Sequence, residues 1–411
     1  MPGQGLIGIA GLLLLCWLLS EDRRHVPWRC VAGGMFLQLV LAVLLLDVPG
    51  AQGFFLLLNR AVETLQTATD AGSSFVFGYL GGGPTPYDVT HPGAAFILAF
   101  KALPLVLTIS ALATLMLHWG ILQRIVMGFA WLLRRSLGVG GPLGLGAALH
   151  VFVGMVEAPL LVRPYLANMS RGELFALMSA GMAGIAGTMM VVYAQILGPV
   201  IPNALGNILS ASLISTPAAL AVAALLVPFR PENEALPKIE SGTTSAMDAI
   251  VRGTMDGIGL LVNIVAMLLV LIAFVTLVNM TLGLLPDVLG APITMQRMAS
   301  TVFAPVMWAL GLPWDDALTA GRLMGTKTVL NEFVAYLDLA ALPDGAMAER
   351  SRLMVTYALC GFANFGSIGI LVGGIGAMIP ERKHEIVQLG VKSVLSGTIA
   401  TCLSAALVGL M

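Results

Sequence analysis

The chain has 411 residues, of which 58% are hydrophobic and 10% charged, against roughly 25% charged in an ordinary soluble domain. That composition excludes a soluble globular fold and makes the lipid bilayer the first partner. The net charge of −1, with no basic cluster, gives no nucleic acid a footing.

Apolar stretches near or above the ~20 residues that cross a bilayer recur from end to end. They are Leu6–Leu19, Val31–Leu46, Ala94–Leu117, Leu174–Leu197, Leu205–Val227, Gly257–Leu284, Leu353–Ile379 and Gly390–Leu410. No long polar tract separates them, so the expected fold class is an all-α polytopic membrane protein in one integral unit. The N-terminus lacks a basic region and a small-residue cleavage site, and the first apolar segment is read as a retained span. The loop Glu21–Arg29 carries Arg23, Arg24 and Arg29, which assigns it to the cytoplasm and the N-terminus to the outside. Arg124–Arg135, Arg230–Arg252 and Glu381–Glu385 take the same side, and the last span ends outside at Met411. The membrane is expected to be the inner, or plasma, membrane. Cys16, Cys30, Cys360 and Cys402 have no metal-type spacing and read as small buried hydrophobes. No cofactor or metal is expected.

These sides agree only if two segments enter the membrane without crossing it. Gly141–Leu166 (GPLGLGAALHVFVGMVEAPLLVRPYL) is broken by glycines, prolines and one carboxylate. Asp316–Leu342 contains Arg322, Lys327, Glu332 and Asp338 around an apolar centre. Both read as re-entrant hairpins, whose broken backbone is tolerated only when it lines a cavity or packs on protein. Each is followed by a helix rich in small residues, Ala180–Thr188 and Cys360–Ser367, and then by one more span. Glu157 precedes Gly181 by 24 residues and Glu332 precedes Gly361 by 29. Paired interrupted segments in two halves mark a transporter binding site, here as an inverted repeat. The expected organisation is 1–140 as scaffold helices and interfacial helix, and 141–228 as the first half of the transport core. Residues 229–290 are expected as an interfacial segment and long scaffold helix, and 291–411 as the second half of the core.

A charged side chain inside the bilayer costs ~2.5–3.5 kcal/mol even on a lenient scale, so Glu157 and Glu332 face a cavity and serve a function unless they are paired. The bland alternatives are pairing with Arg163 or a wet tip for Glu157, and pairing with Lys327 for Glu332. Lys101 reads as snorkelling and Asn263 and Asn279 as packing contacts. Ser241–Arg252 and His118–Leu137 read as interfacial amphipathic segments. No HExxH pair or GxSG-type nucleophile supports an intramembrane enzyme, and His150 and Glu157, seven apart, do not make one. A passive channel remains a rival reading.

GMVEAPLLVRPYL (Gly154–Leu166), GTKTVLNEFVAYLDL (Gly325–Leu339), ALCGFANFGSIGI (Ala358–Ile370) and AGSSFVFG (Ala71–Gly78) resemble signatures of the concentrative nucleoside transporter family. The order and spacing match from about residue 30 to the C-terminus. The resemblance implies a homotrimer of eight-span subunits with two re-entrant hairpins, importing a nucleoside by an elevator-like movement. It implies that Glu332, Asn364 and Ser367 hold ribose hydroxyls and that Phe362 packs on the nucleoside. A carboxylate accepts from vicinal hydroxyls, and an amide both donates and accepts. Asn364 and Ser367 are three apart, on one face of a helix if it is regular there; helix–helix bonding by Asn364 is the alternative. Asn331, Met189, Met155, Val156 and Glu157 complete the expected substrate site.

Two departures stand out. The family's first tip, Gly-Gln-Thr-Glu, is Gly154-Met155-Val156-Glu157 here, so hydrogen-bond readout of the base edge must be weaker or come from elsewhere, and a nucleobase or nucleoside-like substrate stays open. Sodium-coupled members place Asn and Ser or Thr oxygens where this chain has His150 and Gly184, leaving backbone such as that of Val153. A hard cation prefers oxygen donors. The coupling ion is therefore expected to be H+, carried by His150, Glu157 or Glu332, with Na+ as the alternative; His150 bonding only within its hairpin is the bland reading.

Overall fold

The fold is given by a computed structural model, which describes residues 2–88, 97–230, 242–288 and 290–411. Helices α1 (Pro2–Leu18) and α2 (Trp28–Leu46) form the first pair, followed by α3 (Pro49–Phe77). A single turn, α4 (Leu98–Lys101), leads into α5 (Pro104–His118), and α6 (Ile121–Leu137) follows. The first hairpin is α7 (Gly141–Leu149), α8 (Glu157–Leu161) and α9 (Arg163–Leu166). A broken helix, α10 (Arg171–Ala183) and α11 (Gly187–Leu197), precedes α12 (Ala204–Leu226) and α13 (Ala246–Leu282). After α14 (Met295–Ala309) the second hairpin is α15 (Trp314–Val329) and α16 (Glu332–Ala340). A second broken helix, α17 (Glu349–Leu359) and α18 (Phe365–Met378), leads to α19 (Lys383–Leu410).

Among the described residues six helical stretches are long and apolar enough to cross a membrane, and two further apolar helices, Gly3–Leu18 and Phe365–Met378, are shorter. With α17 preceding the second of these, the eight apolar helices coincide with the eight expected spans, in an all-α polytopic membrane fold. The two hairpins fall within two residues of their expected bounds. Helix α7 has nine residues, about 13.5 Å, against a hydrocarbon core of about 30 Å. All nine are buried, so its short length is covered by protein rather than lipid. Pro142 in its first turn removes an N–H that would have no helical partner.

Three elements differ from the sequence expectations. Helices α3 and α14 have no counterpart among them. The interfacial segment expected at Ser241–Arg252 is, from Ala246 on, the first turns of the 37-residue α13, N-capped by Ser245 Oγ on the Asp248 N–H. Ser241, and the 94–96 start of the span expected at Ala94, lie outside the described residues. Helix α6 agrees with its amphipathic reading: Leu122, Val126, Ala130, Leu133 and Leu137 line its buried stripe.

The basic segments converge on one face. Glu21 receives Arg171 and Lys392, and Glu385 receives Arg382. The α5–α6 and α12–α13 connections meet where His118 Nδ1 and Thr243 Oγ1 lie 2.7 Å apart. The opposite face carries both chain ends: Arg350 Nε donates to Gly409 O at 3.0 Å and its Nη1 to Gly311 O at 3.1 Å. Two packed bodies follow. Helix α13 lies along α5, where a Cβ on Gly253 would stand 2.6 Å from Ser110 O, so only glycine permits that approach. Helices α1, α2, α10 and α12 instead pack together with α19.

Candidate functional site

The two broken helices cross at their breaks. Helix α10 ends at Ala183 because Gly184 turns extended (φ −112°, ψ 173°), and α17 gives way to the non-helical stretch Cys360–Asn364. Phe362 N–H donates to Gly184 O at 3.3 Å, and a Cβ on Gly361 would lie 2.8 Å from Met182 O. Four half-helix ends therefore meet inside the protein. The C-terminal ends of α10 and α17 present carbonyls and the N-terminal ends of α11 and α18 present N–H groups.

The second hairpin delivers a carboxylate to this crossing. Asn331 caps α16, its Oδ1 accepting from Val334 N–H at 2.9 Å, and this fixes Glu332 as the first helical residue. Glu332 is buried; its Oε1 accepts from Tyr193 Oη at 2.7 Å and its Oε2 from Asn364 Nδ2 at 3.0 Å. An ionised carboxylate offers about four acceptor sites, so roughly two remain for other hydroxyls. Asn364 and Ser367, both buried, do not share the face of a regular helix: Asn364 is the N-cap of α18, and its Oδ1 accepts from Ser367 N–H at 2.8 Å. The cap leaves the amide nitrogen to hold Glu332. Phe362 is half-buried between the two main apolar clusters, beside the break.

Lys327 does not pair with Glu332. Its Nζ donates to Ala358 O at 2.7 Å and to Thr401 Oγ1 at 3.3 Å. Glu157 likewise forms no ion pair with Arg163 among the described residues.

In the first hairpin Glu157 opens α8 as Glu332 opens α16, but it is exposed. Its carboxylate folds over Gly154, where a Cβ would lie 2.1 Å from Oε2. Met155 is buried, and Val156 rests on α18, where a Cβ on Gly374 would be 2.8 Å from its methyls. Met189 is buried within α11. Val153 N–H closes a turn on Leu149 O at 2.9 Å. His150 caps the C-terminus of α7, and 3% of its surface is exposed. Its ring lies on α10, where a Cβ on Gly181 would be 3.0 Å from Cε1, and its backbone oxygen would be 3.8 Å from a Cβ on Gly184. The backbone of Leu177 and Gly154 faces the ring without closing a hydrogen bond of normal geometry, and both ring nitrogens lack a partner. His150 and Gly184 are thus neighbours, and Gly187 N–H ties the same turn to α11 through Phe152 O at 3.2 Å.

Tyr193 is the site residue that the sequence reading missed. It is the one hydroxyl in the run MVVYAQIL, fully buried and tilted against Tyr336 at 5.0 Å between ring centroids. A tyrosine hydroxyl in a mostly apolar intramembrane stretch is the signal that could have found it, since it needs an acceptor there. No group of His, Cys, Asp or Glu among the described residues is arranged to hold a metal ion.

Comparison with known proteins agrees with this geometry. Families described as Na+ dependent nucleoside transporter N-terminus, Nucleoside recognition, and Na+ dependent nucleoside transporter C-terminus match residues 7–80, 99–200 and 207–409. An uncharacterised transporter of Haemophilus influenzae is 35% identical, over 99% of this chain and 97% of its own length. Human solute carrier family 28 member 3 is 33% identical over 99% of this chain, which spans 60% of that longer protein. The solved structure of CNTnw in an inward-facing substrate-bound state superposes with a TM-score of 0.89 at 32% identity, covering 100% of this chain and 98% of that one. The relatives and the fold are those of transporters, not enzymes. Matched along its whole length in sequence and in structure, the chain belongs to the concentrative nucleoside transporter family.

Proposed function

We propose that this protein imports nucleosides across the inner membrane by proton-coupled symport, with the ribose hydroxyls bound by Glu332, Asn364 and Ser367. The observation that carries the binding role is the buried Glu332–Asn364 pair where two half-helices end. A fixed carboxylate with two open acceptor sites, beside an amide and a hydroxyl, suits vicinal hydroxyls. Phe362 and Met189 contribute apolar surface for the base, and Met155 and Val156 replace the polar first tip.

The proton reading is supported by donor chemistry. Sodium is a hard ion that takes oxygen ligands. His150 presents nitrogen at that position, and Gly184 beside it presents no side chain. A buried imidazole whose nitrogens close no hydrogen bond is a polar group without a structural task, and proton carriage is the role proposed for it here. Glu157 and Glu332 are the other carriers in this proposal.

Movement is proposed to be elevator-like, with α5, α13 and α3 as a static frame and the hairpins and broken helices moving past it. The packing of α13 along α5 supports this division. Helices α1 and α2, expected in the scaffold from sequence, pack on α12 and α19 and go with the moving body in this scheme. The exposed apolar face of α13, including Met255, Val262, Leu269 and Phe274, supports a homotrimer whose subunits meet there or at lipid. The converging basic face is assigned to the cytoplasm, with both termini outside.

The test is uptake of tritiated uridine and adenosine into proteoliposomes in sodium-free buffer with an imposed inward proton gradient. Accumulation that collapses with a protonophore supports the proposal. Accumulation that requires sodium and ignores the proton gradient overturns the coupling ion, and no uptake of either nucleoside under both ion gradients overturns the substrate.

A further inference from the structure

Lys327 is fully buried, and since it does not pair with Glu332 the proposed binding chemistry gives it no task. It lies in the last turn of α15, five residues before Glu332. Its ammonium donates to Ala358 O, in the last turn of α17, and to Thr401 Oγ1 on α19. Ala358, Leu359 and Cys360 are also fully buried, so no water relieves the carbonyls left open where α17 stops. The charged and titratable groups around the ammonium are Glu332 on α16, Cys360 at the break and Cys402 on α19.

The second hairpin therefore grips one helix break with two opposite charges. Lys327 meets the C-terminal end of α17, where the peptide dipoles leave partial negative charge. Glu332 meets Asn364 at the N-terminal end of α18, where they leave partial positive charge. The first hairpin places His150 at the corresponding end of α7, its ring against Gly181 in the last turn of α10, but with no hydrogen bond to a helix-end carbonyl.

We propose that Lys327 is a positioning residue for nucleoside binding, a tethered cation that caps the broken end of α17 and so holds Glu332 at the crossing. An amine on a four-carbon stem does here what a bound monovalent ion does elsewhere. It neutralises a half-helix terminus that the fold cannot otherwise satisfy. The proposal rests on Glu332 being the nucleoside carboxylate.

The experiment measures uridine and adenosine affinity on purified full-length protein for Lys327→Met, Lys327→Ala and Glu332→Gln, with melting temperature read in parallel. Lys327→Met is expected to weaken binding about tenfold or more. Ethylammonium is expected to restore part of the affinity of Lys327→Ala, and choline at equal concentration to restore none, a result that a purely structural role would not give. Lys327→Met binding within about twofold of the parent, or equal effects of the two cations, overturns the proposal. Loss of binding in Glu332→Gln with normal binding in Lys327→Met overturns this inference alone, whereas normal binding in Glu332→Gln overturns the site itself. If the lysine variants do not fold, Thr401→Val decides: about threefold weaker binding supports the tether, and unchanged binding overturns it.

Discussion

Tyr193 donates its hydroxyl hydrogen to Glu332 Oε1 at 2.7 Å, so a helix of the first half of the chain fixes the buried carboxylate of the second. The bond is supported by packing, because the Tyr193 ring also lies tilted against Phe333 and Tyr336, residues of the same hairpin limb as Glu332. The carboxylate is thereby held on one rotamer by groups from α11 and α18. This is the arrangement expected of a binding group that must be ready before its ligand arrives.

Tyr193→Phe removes one hydrogen bond and leaves the aromatic packing. An unsatisfied buried acceptor costs about 1–3 kcal/mol, so nucleoside affinity should fall roughly tenfold with little loss of fold. Equilibrium binding of tritiated uridine and adenosine measures it. Affinity within about twofold of the parent would show that Asn364 alone positions Glu332.

Much of this site was legible in the sequence, for a physical reason. Carboxylates and amides are expensive in a bilayer, so Glu332 and Asn364 stand out against apolar surroundings, and glycines and prolines mark the hairpins around them. Helices α3 and α14 were not legible, because neither is apolar enough to read as a span, although Pro49 at the start of one and the Thr294 cap of the other are helix-start signals. Lys327 was visible as a charge, but its partners were not: the only one that the sequence offered, as the bland alternative, was Glu332. Sequence offers Glu332 five residues away, while the fold offers a backbone carbonyl 31 positions on, and carbonyls carry no signature. Spacing placed Asn364 and Ser367 on a common face only if the helix is regular there; it is not, and their relation is that of a cap to its helix.

Gly361→Ala should destabilise the crossing. The added methyl would meet Met182 O at 2.8 Å and Thr401 Cγ2 at 3.0 Å, and the first of these is backbone that cannot swing away. Overpacking of this kind costs about 1–3 kcal/mol, visible as a lower melting temperature in detergent. Gly369→Ala, on α18 with open space around the added methyl, is the control and should melt at or slightly above the parent. Equal melting of the two variants would remove the close approach of the breaks as a stabilising feature.

Glu157 should separate coupling from binding. Glu157→Gln is expected to carry nucleoside down its own gradient at near-normal rate but to fail to concentrate it with an imposed proton gradient. Gly154→Ala should move the variant part of the way there, because its Cβ would occupy the place of Glu157 Oε2. Counterflow and gradient-driven uptake in the same vesicles give both readings. Loss of downhill transport in Glu157→Gln would make this carboxylate a substrate contact instead.

The last prediction concerns the ionic face rather than the centre. Glu21, in the α1–α2 loop, accepts from Arg171 Nη2 at 3.2 Å and from Lys392 Nζ at 2.5 Å, joining the start of α10 to the third turn of α19. The Arg171 hydrogen bond, ahead of that from Lys392, holds the Glu21 carboxyl below its ordinary value of 4.5. A folded-state value below the unfolded one means that the folded protein binds fewer protons. The stabilisation is therefore complete above the ordinary carboxylate range and is lost as pH falls through the lowered folded value. Arg171 stays charged throughout, since the same partner pushes its own value up. The group is partly solvated, so the effect is modest and shrinks with added salt. Melting temperature should hold steady from neutral pH down to the onset of carboxylate titration and then decline, and Glu21→Gln should flatten part of that decline while lowering the neutral-pH value slightly. A Glu21→Gln profile parallel to the parent at every pH would show that this network contributes nothing that a proton can remove.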